Sequence, residues 1–267
     1  MMKIIVCIKQ VPNTTDVKID PKTNTLIREG VESIINPFDM YAIEEAVRLK
    51  ERLKDTLETT TVVISMGPPQ AEAALREAIS MGIDEAVLVS DRAFAGSDTY
   101  ATSYTLSEAI RSMGDYLVIL FGKQASDGDT AQVGPGVAAH LDLPQITFVR
   151  NIESVDKENI IAERLMEYGY DVISSPLPAV VTVVKEINEP RLPSLRGKMK
   201  AKKIEIKKIT KDDMAVDVKF LGLDGSPTIV NKIFSPPKKE PGKIFQENEI
   251  DEGLDFIIKT LKGHNII

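Results

Sequence analysis

The sequence contains no tryptophan, one cysteine and two histidines, and only 5% of its 267 residues are aromatic. So sparse an aromatic complement supplies no stacking platform for single-stranded nucleic acid. The lone cysteine, Cys7, excludes a disulfide scaffold, and its place in the apolar run IIVCI reads as a small buried hydrophobe. With His140 and His264 far apart, and neither C-x-x-C nor H-E-x-x-H present, no transition-metal ligand set is visible. Positive charge is also short. Against 40 acidic residues stand 33 basic ones, a net charge of -7, so no global field draws the chain to nucleic acid. Nor does any stretch approach the length of a membrane span, and the apolar segment before Lys9 is too short for a signal-peptide core. A soluble, cytoplasmic protein is expected. No serine, histidine and acid occur at a useful spacing, and Glu44 with Glu45 reads as a solvated helix face. Any catalysis would therefore belong to a cofactor.

What is present is an alternation of two textures through the first 150 residues. Short β-branched runs at 3–8, 60–66, 85–90 and 116–122 are apolar on both faces, as strands of a helix-covered parallel sheet must be. Between them lie segments with helical spacing at 37–54, 70–81, 97–113 and 130–141. The first carries Phe38, Tyr41, Ala42, Ala46, Leu49 and Leu53 on one stripe, with Asn36 and Pro37 as cap and first turn. Strand, helix, strand, helix with short connections predicts a doubly wound α/β domain over 1–188. The segments 160–167 and 170–174, a hairpin or a bend about Gly169, and the run PAVVTVVKEI at 178–187 read as additions to that sheet or its edge. Beyond 188 the pattern loosens. A proline- and lysine-rich stretch at 189–203, a strand candidate IEIKKI, PPKK at 236–239, a proline-glycine pair at 241–242 and a last helix from about Asp251 to Leu261 form a tail. Either it wraps a partner or it is an ordered arm over its own domain.

The most informative stretch is GKQASDGDTAQVGPG at 122–136, which follows a strand and precedes a helix. Glycines and small polar residues thus fall at a strand's carboxyl end, where α/β folds bind ligands. Gly122, Gly128, Gly134 and Gly136 allow close backbone approach, Ser126 and Thr130 offer hydroxyls, and the first N-H groups of the helix can hold phosphate. The pattern is neither a Walker loop nor G-x-G-x-x-G, so it names no ligand by itself. A purely structural tight loop fits it too. Asp127 and Asp129 either cap the helix or meet polar parts of a ligand, their side chains turned away from any phosphate. Two further strand ends, CIKQVPN at 7–13 and SMGPP at 65–69, together with Asn36 and Asp39, approach the same rim. Their convergence indicates a nucleotide-sized ligand.

In KIIVCIKQVPNT, NPFDMYAIEEAVRLKE, GKQASDGDTAQVG, LPQITFV and VVKEINEPRLPSLRGKMKAKK, taken in that order, the chain resembles the beta subunit of electron-transfer flavoproteins along nearly its whole length. The resemblance implies a Rossmann-like domain, an obligate heterodimer with an FAD-bearing alpha subunit, and a tail from 189 to 267 that recognises partners. Arg191, Leu195, Arg196 and Lys198 would meet an acyl-CoA-dehydrogenase-like or other FAD-linked dehydrogenase. The loop DGDTAQVGP at 127–135 resembles the electron-bifurcating members, in which a second FAD replaces AMP and NAD(H) reacts beside it. Cys7, Asn36, Asp39, Ser65, Gly67, Gly122, Gln124 and Asp127 would then surround that FAD with Asp129, Thr130, Ala131, Gln132, Val133 and Gly134. Electrons would divide between ferredoxin or flavodoxin and the dehydrogenase. The competing expectations are a conventional beta subunit with AMP in the same cradle, or a stand-alone adenine-nucleotide-binding module.

Overall fold

Runs of valine and isoleucine that cannot face water become strands here, and the computed structural model describes them within residues 1–13, 33–231 and 242–267. In chain order the elements are β1 (Met2–Cys7), β2 (Gln10–Pro12), β3 (Ser33–Ile35), α1 (Pro37–Leu53), β4 (Thr59–Met66), α2 (Glu72–Met81), β5 (Glu85–Val89), α3 (Thr99–Ser112) and β6 (Tyr116–Gly122). They continue with α4 (Val133–Leu141), β7 (Gln145–Val155), β8 (Asn159–Met166), β9 (Gly169–Pro176), β10 (Ala179–Val183), α5 (Leu195–Lys203), β11 (Lys207–Ile209) and α6 (Ile250–Gly263). Nine strands make one sheet in the order β11-β5-β4-β1-β6-β10-β7-β8-β9. It is parallel from β11 to β7, and the β7-β8 and β8-β9 pairings are antiparallel, so that β8 alone is reversed in this sheet. This is the expected Rossmann-like, mostly parallel α/β architecture. The segments after 150 join the sheet: β8 and β9 form a hairpin at its edge, while β10 is inserted between β6 and β7.

The two-residue period of the strands separates two apolar layers. On β1, Ile4 and Val6 pack with Ala42, Ile43 and Ala46 of α1 and Leu75, Ala78 and Ile79 of α2. Ile5 and Cys7 join Leu106, Ala109 and Ile110 of α3 and Val137 and Ala138 of α4 on the other face. Each fully buried aliphatic side chain contributes about 1.5–3 kcal/mol, and the buried positions of the central strands β1, β4 and β6 carry no charged residue.

Four local expectations change. Helix α4 starts at Val133 instead of Thr130, because Asp129 and Ala131 have φ of 53° and 54°, the left-handed region where a right-handed helix cannot run. Helix α5 lies in a stretch that reads as irregular in the sequence. A small antiparallel ribbon, β2 with β3, is also new. Finally, the compact unit does not stop near 188 but extends over Met1–Asn231, with Lys232–Ile267 as a second unit. Strand β11 pairs with β5, the Tyr104 hydroxyl accepts from the Asp217 N-H at 2.8 Å, and Asp98 accepts from the Thr228 hydroxyl at 2.8 Å. Residues 189–231 are thereby fastened to their own domain. In the second unit α6 stacks Phe256 on Phe245 at 5.7 Å between ring centres and leaves Leu254, Ile257 and Ile258 exposed. The PPKK segment at 236–239 and Pro241 lie outside the described residues.

Candidate functional site: the crevice at the strand ends

The order of the strands fixes where loops diverge. From β1 the chain builds outward through β4 and β5, then crosses back to place β6 on the other side of β1. The connections leaving β1 and β6 therefore part company above neighbouring strands and open a crevice at their carboxyl ends, the usual ligand position in open α/β sheets. Residues 8–13 and 122–132 are those two connections, and the start of α1 joins them through the ribbon, where Asn36 N-H donates to the Lys9 carbonyl at 2.8 Å.

Asn36 and Asp39 tie this rim together. The Asn36 side chain does not cap α1. It donates from Nδ2 to the Gln124 carbonyl at 2.8 Å and accepts from the Ser126 N-H at 3.0 Å, a two-point clamp on the glycine-rich loop. The Asp39 carboxyl, 5% exposed, accepts from the Lys9 N-H at 2.8 Å and the Gly122 N-H at 3.2 Å, joining the ends of β1 and β6. Burial pushes its pKa up to about 7, outweighing the Lys9 N-H, the Asn36 amide, the Gly122 N-H and the Lys9 charge, all of which favour ionisation. Between pH 4 and 7 the folded chain thus keeps a proton that the unfolded chain has released. The stabilisation from this group is complete below pH 4 and is lost as pH rises through 7, at ~1.4 kcal/mol per pH unit at most. Asp39→Asn should remove that dependence, while its amide leaves one N-H facing another donor at a cost of about 1–3 kcal/mol. Urea unfolding of both proteins at pH 5 and 7.5 is the check: the parent's advantage should fall by roughly 2–3 kcal/mol at the higher pH, closing or reversing the gap. Equal gaps would refute the assignment.

The loop itself presents backbone. Left-handed Ala131 precedes right-handed Gln132, an alternation of hand that turns successive N-H groups to one side, as in anion-binding nests. Holding a non-glycine residue in this region costs of order 1–3 kcal/mol, a strain that concentrates at functional positions. The first turn of α4 that follows has neither a side-chain cap nor an acidic residue. Asp127 and Asp129 do not cap it. Asp127 pairs with Lys9 at 2.6 Å and Asp129 accepts from Gln124, so both carboxylates have partners. Gly134 is required by close packing, since a Cβ there would lie 2.8 Å from Thr182 Cγ2. Gly128 has nothing within 4 Å of its Cβ direction.

The remaining strand-end residues divide by role. Ser65, buried near the end of β4, has a hydroxyl with no hydrogen-bond partner among the described residues. Gly67 donates its N-H to the Val89 carbonyl at 3.0 Å and shapes the turn into α2. Cys7 is buried, and burial followed by the nearby Asp39 charge holds its thiol pKa well above the ordinary value. It stays protonated and packs as a hydrophobe.

Residues 189–203 lie elsewhere. Leu195 opens α5 with its side chain 78% exposed, near exposed Leu192 and Met199. Ser194 caps the helix by accepting from the Gly197 N-H at 2.9 Å. Arg196 and Lys198 are on the helix's first turn, and α5 packs on α2. Arg191 is turned inward: its guanidinium reaches Glu44 at 2.8 Å and Glu51 at 2.8 Å. Glu44 and Glu45 are accordingly not a solvated face. Both are buried, Glu44 between Arg191 and Arg48, Glu45 accepting from Asn188 at 3.0 Å. Burial raises the Glu44 carboxyl, but the hydrogen bonds from Arg191 and Arg48 overcome it and hold the pKa below its usual range. The burial has little local sign in the sequence, because Asn188 and Arg191, which cover these carboxylates beside the neighbouring Arg48, lie more than 140 residues away along the chain.

Fold and loop geometry define a Rossmann-like α/β protein whose connections after β1 and β6 are tied together by Asn36, Asp39 and Lys9 at the carboxyl ends of their strands. The electron transfer flavoprotein domain family matches residues 23–214. Over its whole length the chain is 50% identical to the electron transfer flavoprotein subunit beta of Thermoanaerobacterium thermosaccharolyticum, also covered completely. It is 46% identical over 266 residues to the caffeyl-CoA reductase-Etf complex subunit CarD of Acetobacterium woodii, with both chains fully covered. Protein FixA of Azotobacter vinelandii shares 44% identity over 257 residues, 94% of this chain and 90% of the relative. The chain belongs to the electron-transfer flavoprotein beta-subunit family. Membership makes it part of a flavin-based electron-transfer system, with FAD as the family's flavin and an alpha subunit as its partner. Among the described residues no helix is long and apolar enough to cross a membrane.

Proposed function

We propose that this chain is the beta subunit of an electron-bifurcating flavoprotein of the cytoplasm, and that its strand-end crevice holds the adenylate and phosphates of an FAD. The observation that carries the reading is the 127–134 loop, whose left-handed Asp129 and Ala131 lead into a helix with no side-chain cap, leaving its first N-H groups as donors. Such a donor set fits a pyrophosphate, since backbone N-H groups and a helix N-terminus hold anions without a dedicated cation. Thr130 adds an exposed hydroxyl, and the unpartnered Ser65 hydroxyl adds a buried one. The similarity to a protein named as a subunit of a caffeyl-CoA reductase-Etf complex supports a beta subunit serving a dedicated dehydrogenase.

When bound, FAD supplies the chemistry this chain lacks, two-electron exchange with NAD(H) and one-electron exchange with separate acceptors. The chain's own work is positional. Asn36 and Asp39 hold the loop and both strand ends, Gly122 and Gly134 let the backbone close in, and protonated Cys7 keeps a reactive thiolate away from the cofactor. Residues 189–203 present Leu195, Arg196 and Lys198 to an acyl-CoA-dehydrogenase-like or other FAD-linked dehydrogenase, with Arg191 securing the base of the segment. Ferredoxin or flavodoxin is the low-potential partner. The exposed apolar face of α6 suits the alpha subunit, consistent with 189–267 acting as the partner-binding part.

The test is cofactor content of the complex purified with its alpha subunit, by acid release and chromatographic quantification. Two FAD per heterodimer without AMP is the expected result. One FAD with one AMP would replace this reading with the conventional single-electron shuttle.

A further inference from the structure

Across the mouth of the crevice runs one ion pair that the cradle's construction does not explain. Lys9 Nζ contacts both oxygens of Asp127, at 2.6 and 2.8 Å, joining the connection after β1 to the loop after β6. Both side chains are substantially exposed, 48% and 31%, so the pair contributes little to stability. Nor is it needed to hold the loops together. The Asp39 carboxyl already fixes the Lys9 backbone to the end of β6, and Asn36 already clamps residues 124–126. What the pair does instead is set the charge at the entrance. The loop's other acid, Asp129, is occupied by neutral Gln124, and no acid stands in the first turn of α4. One ammonium and one carboxylate therefore face each other beside a set of backbone anion donors.

We infer that Lys9 is the cradle's phosphate-selecting cation and that Asp127 is its built-in competitor, so that a nucleotide's phosphate and the Asp127 carboxylate contend for the same ammonium. The inference rests on the nucleotide reading above and adds a residue to it. Physically, a dinucleotide's pyrophosphate as a unit, or a nucleoside monophosphate, carries close to two negative charges and more acceptor oxygens than one carboxylate, so it can take over the ammonium, at an affinity reduced by the pair it must break. The carboxylate left behind repels a ligand whose anionic group sits out of Lys9's reach. Selection for the position of the phosphate follows.

The competition predicts opposite signs for the two substitutions, which a simple structural bridge does not. Heterodimer stripped of cofactor and titrated with FAD and with AMP should bind the preferred nucleotide roughly three- to tenfold more weakly in Lys9→Gln and more tightly by a similar factor in Asp127→Asn. The double variant should resemble Lys9→Gln. Lys9→Gln should also flatten the dependence of affinity on salt, whereas thermal unfolding of all three should match the parent. Weakening by both substitutions, or no change beyond twofold in either, would overturn the inference. AMP in place of FAD as the preferred ligand would overturn bifurcation but leave the sign test intact. No binding of either nucleotide by the parent heterodimer would overturn both.

Discussion

Gly122→Ala should leave a protein that melts roughly 6–15 °C lower and, on the proposed nucleotide reading, purifies without nucleotide in the beta subunit. A Cβ at this position would lie 2.6 Å from the Phe38 carbonyl carbon and 2.8 Å from the Asp39 nitrogen, with the Asp39 carboxylate nearer still. These are backbone atoms at the first turn of α1, so no rotamer change relieves the clash. Either α1 moves away from β6, or β6 sinks and gives up its register with Val183. Overpacking of this kind costs about 1–3 kcal/mol. Moving apart also breaks the hydrogen bond from the Gly122 N-H to the buried Asp39 carboxyl, about 1–3 kcal/mol more. The sum is a large part of a stability of about 5–15 kcal/mol. Gly128→Ala is the control, since open space surrounds that Cβ direction, and its melting temperature should stay near the parent's. A Gly122→Ala heterodimer that melts with the parent and keeps its nucleotide would show that the Asp39 junction is not what closes the cradle.

The pattern of the first 150 residues reveals the sheet because each strand's apolar run and each helix's stripe are local consequences of burial on two faces. What the pattern hides has non-local causes. Glu44 and Glu45 look solvated on a helical wheel, and only the return of Asn188 and Arg191 to α1 makes them buried anchors. Asn36 looks like a helix cap because asparagine before proline usually is one, yet the loop 88 residues later competes for its side chain and wins both its donor and its acceptor. Helix α5 did have a local signal, Ser194 as cap ahead of good helix formers, which Gly197 and the flanking prolines masked. The place of the glycine- and hydroxyl-rich loop, after β6 and before α4, was legible. Its left-handed residues were not, since nothing in alanine's chemistry announces φ of 54°.

Gly197 supplies the second large expectation, and its sign is the reverse of what helix propensity alone gives. In an isolated helix glycine to alanine is favourable by about 1 kcal/mol. In this chain a Cβ at 197 would lie 2.8 Å from the Ser80 carbonyl carbon and closer to the carbonyl oxygen, so α5 must lift from α2. Lifting breaks the Ser194 N-H to Ser80 carbonyl contact at 3.3 Å and the Lys200 ammonium to Ile83 carbonyl bond at 3.0 Å, and it pulls Ala201 out of the core. The consequence is local for a topological reason. Helix α2 begins just beyond the carboxyl end of β4 and returns about 15 Å along the sheet, so Ser80 in its last turn lies at the opposite edge from the crevice above β1 and β6. If residues 189–203 dock a flavin dehydrogenase as proposed, Gly197→Ala should weaken that binding by about tenfold or more and expose α5 to protease, while cofactor content and the proposed NADH oxidation with an artificial acceptor stay at parent levels. Gly122→Ala should do the opposite, losing nucleotide while 189–203 resists protease as in the parent. Loss of nucleotide from the Gly197→Ala heterodimer would mean that the two edges of the sheet are mechanically coupled, and that docking a dehydrogenase at one edge reaches the cofactor at the other.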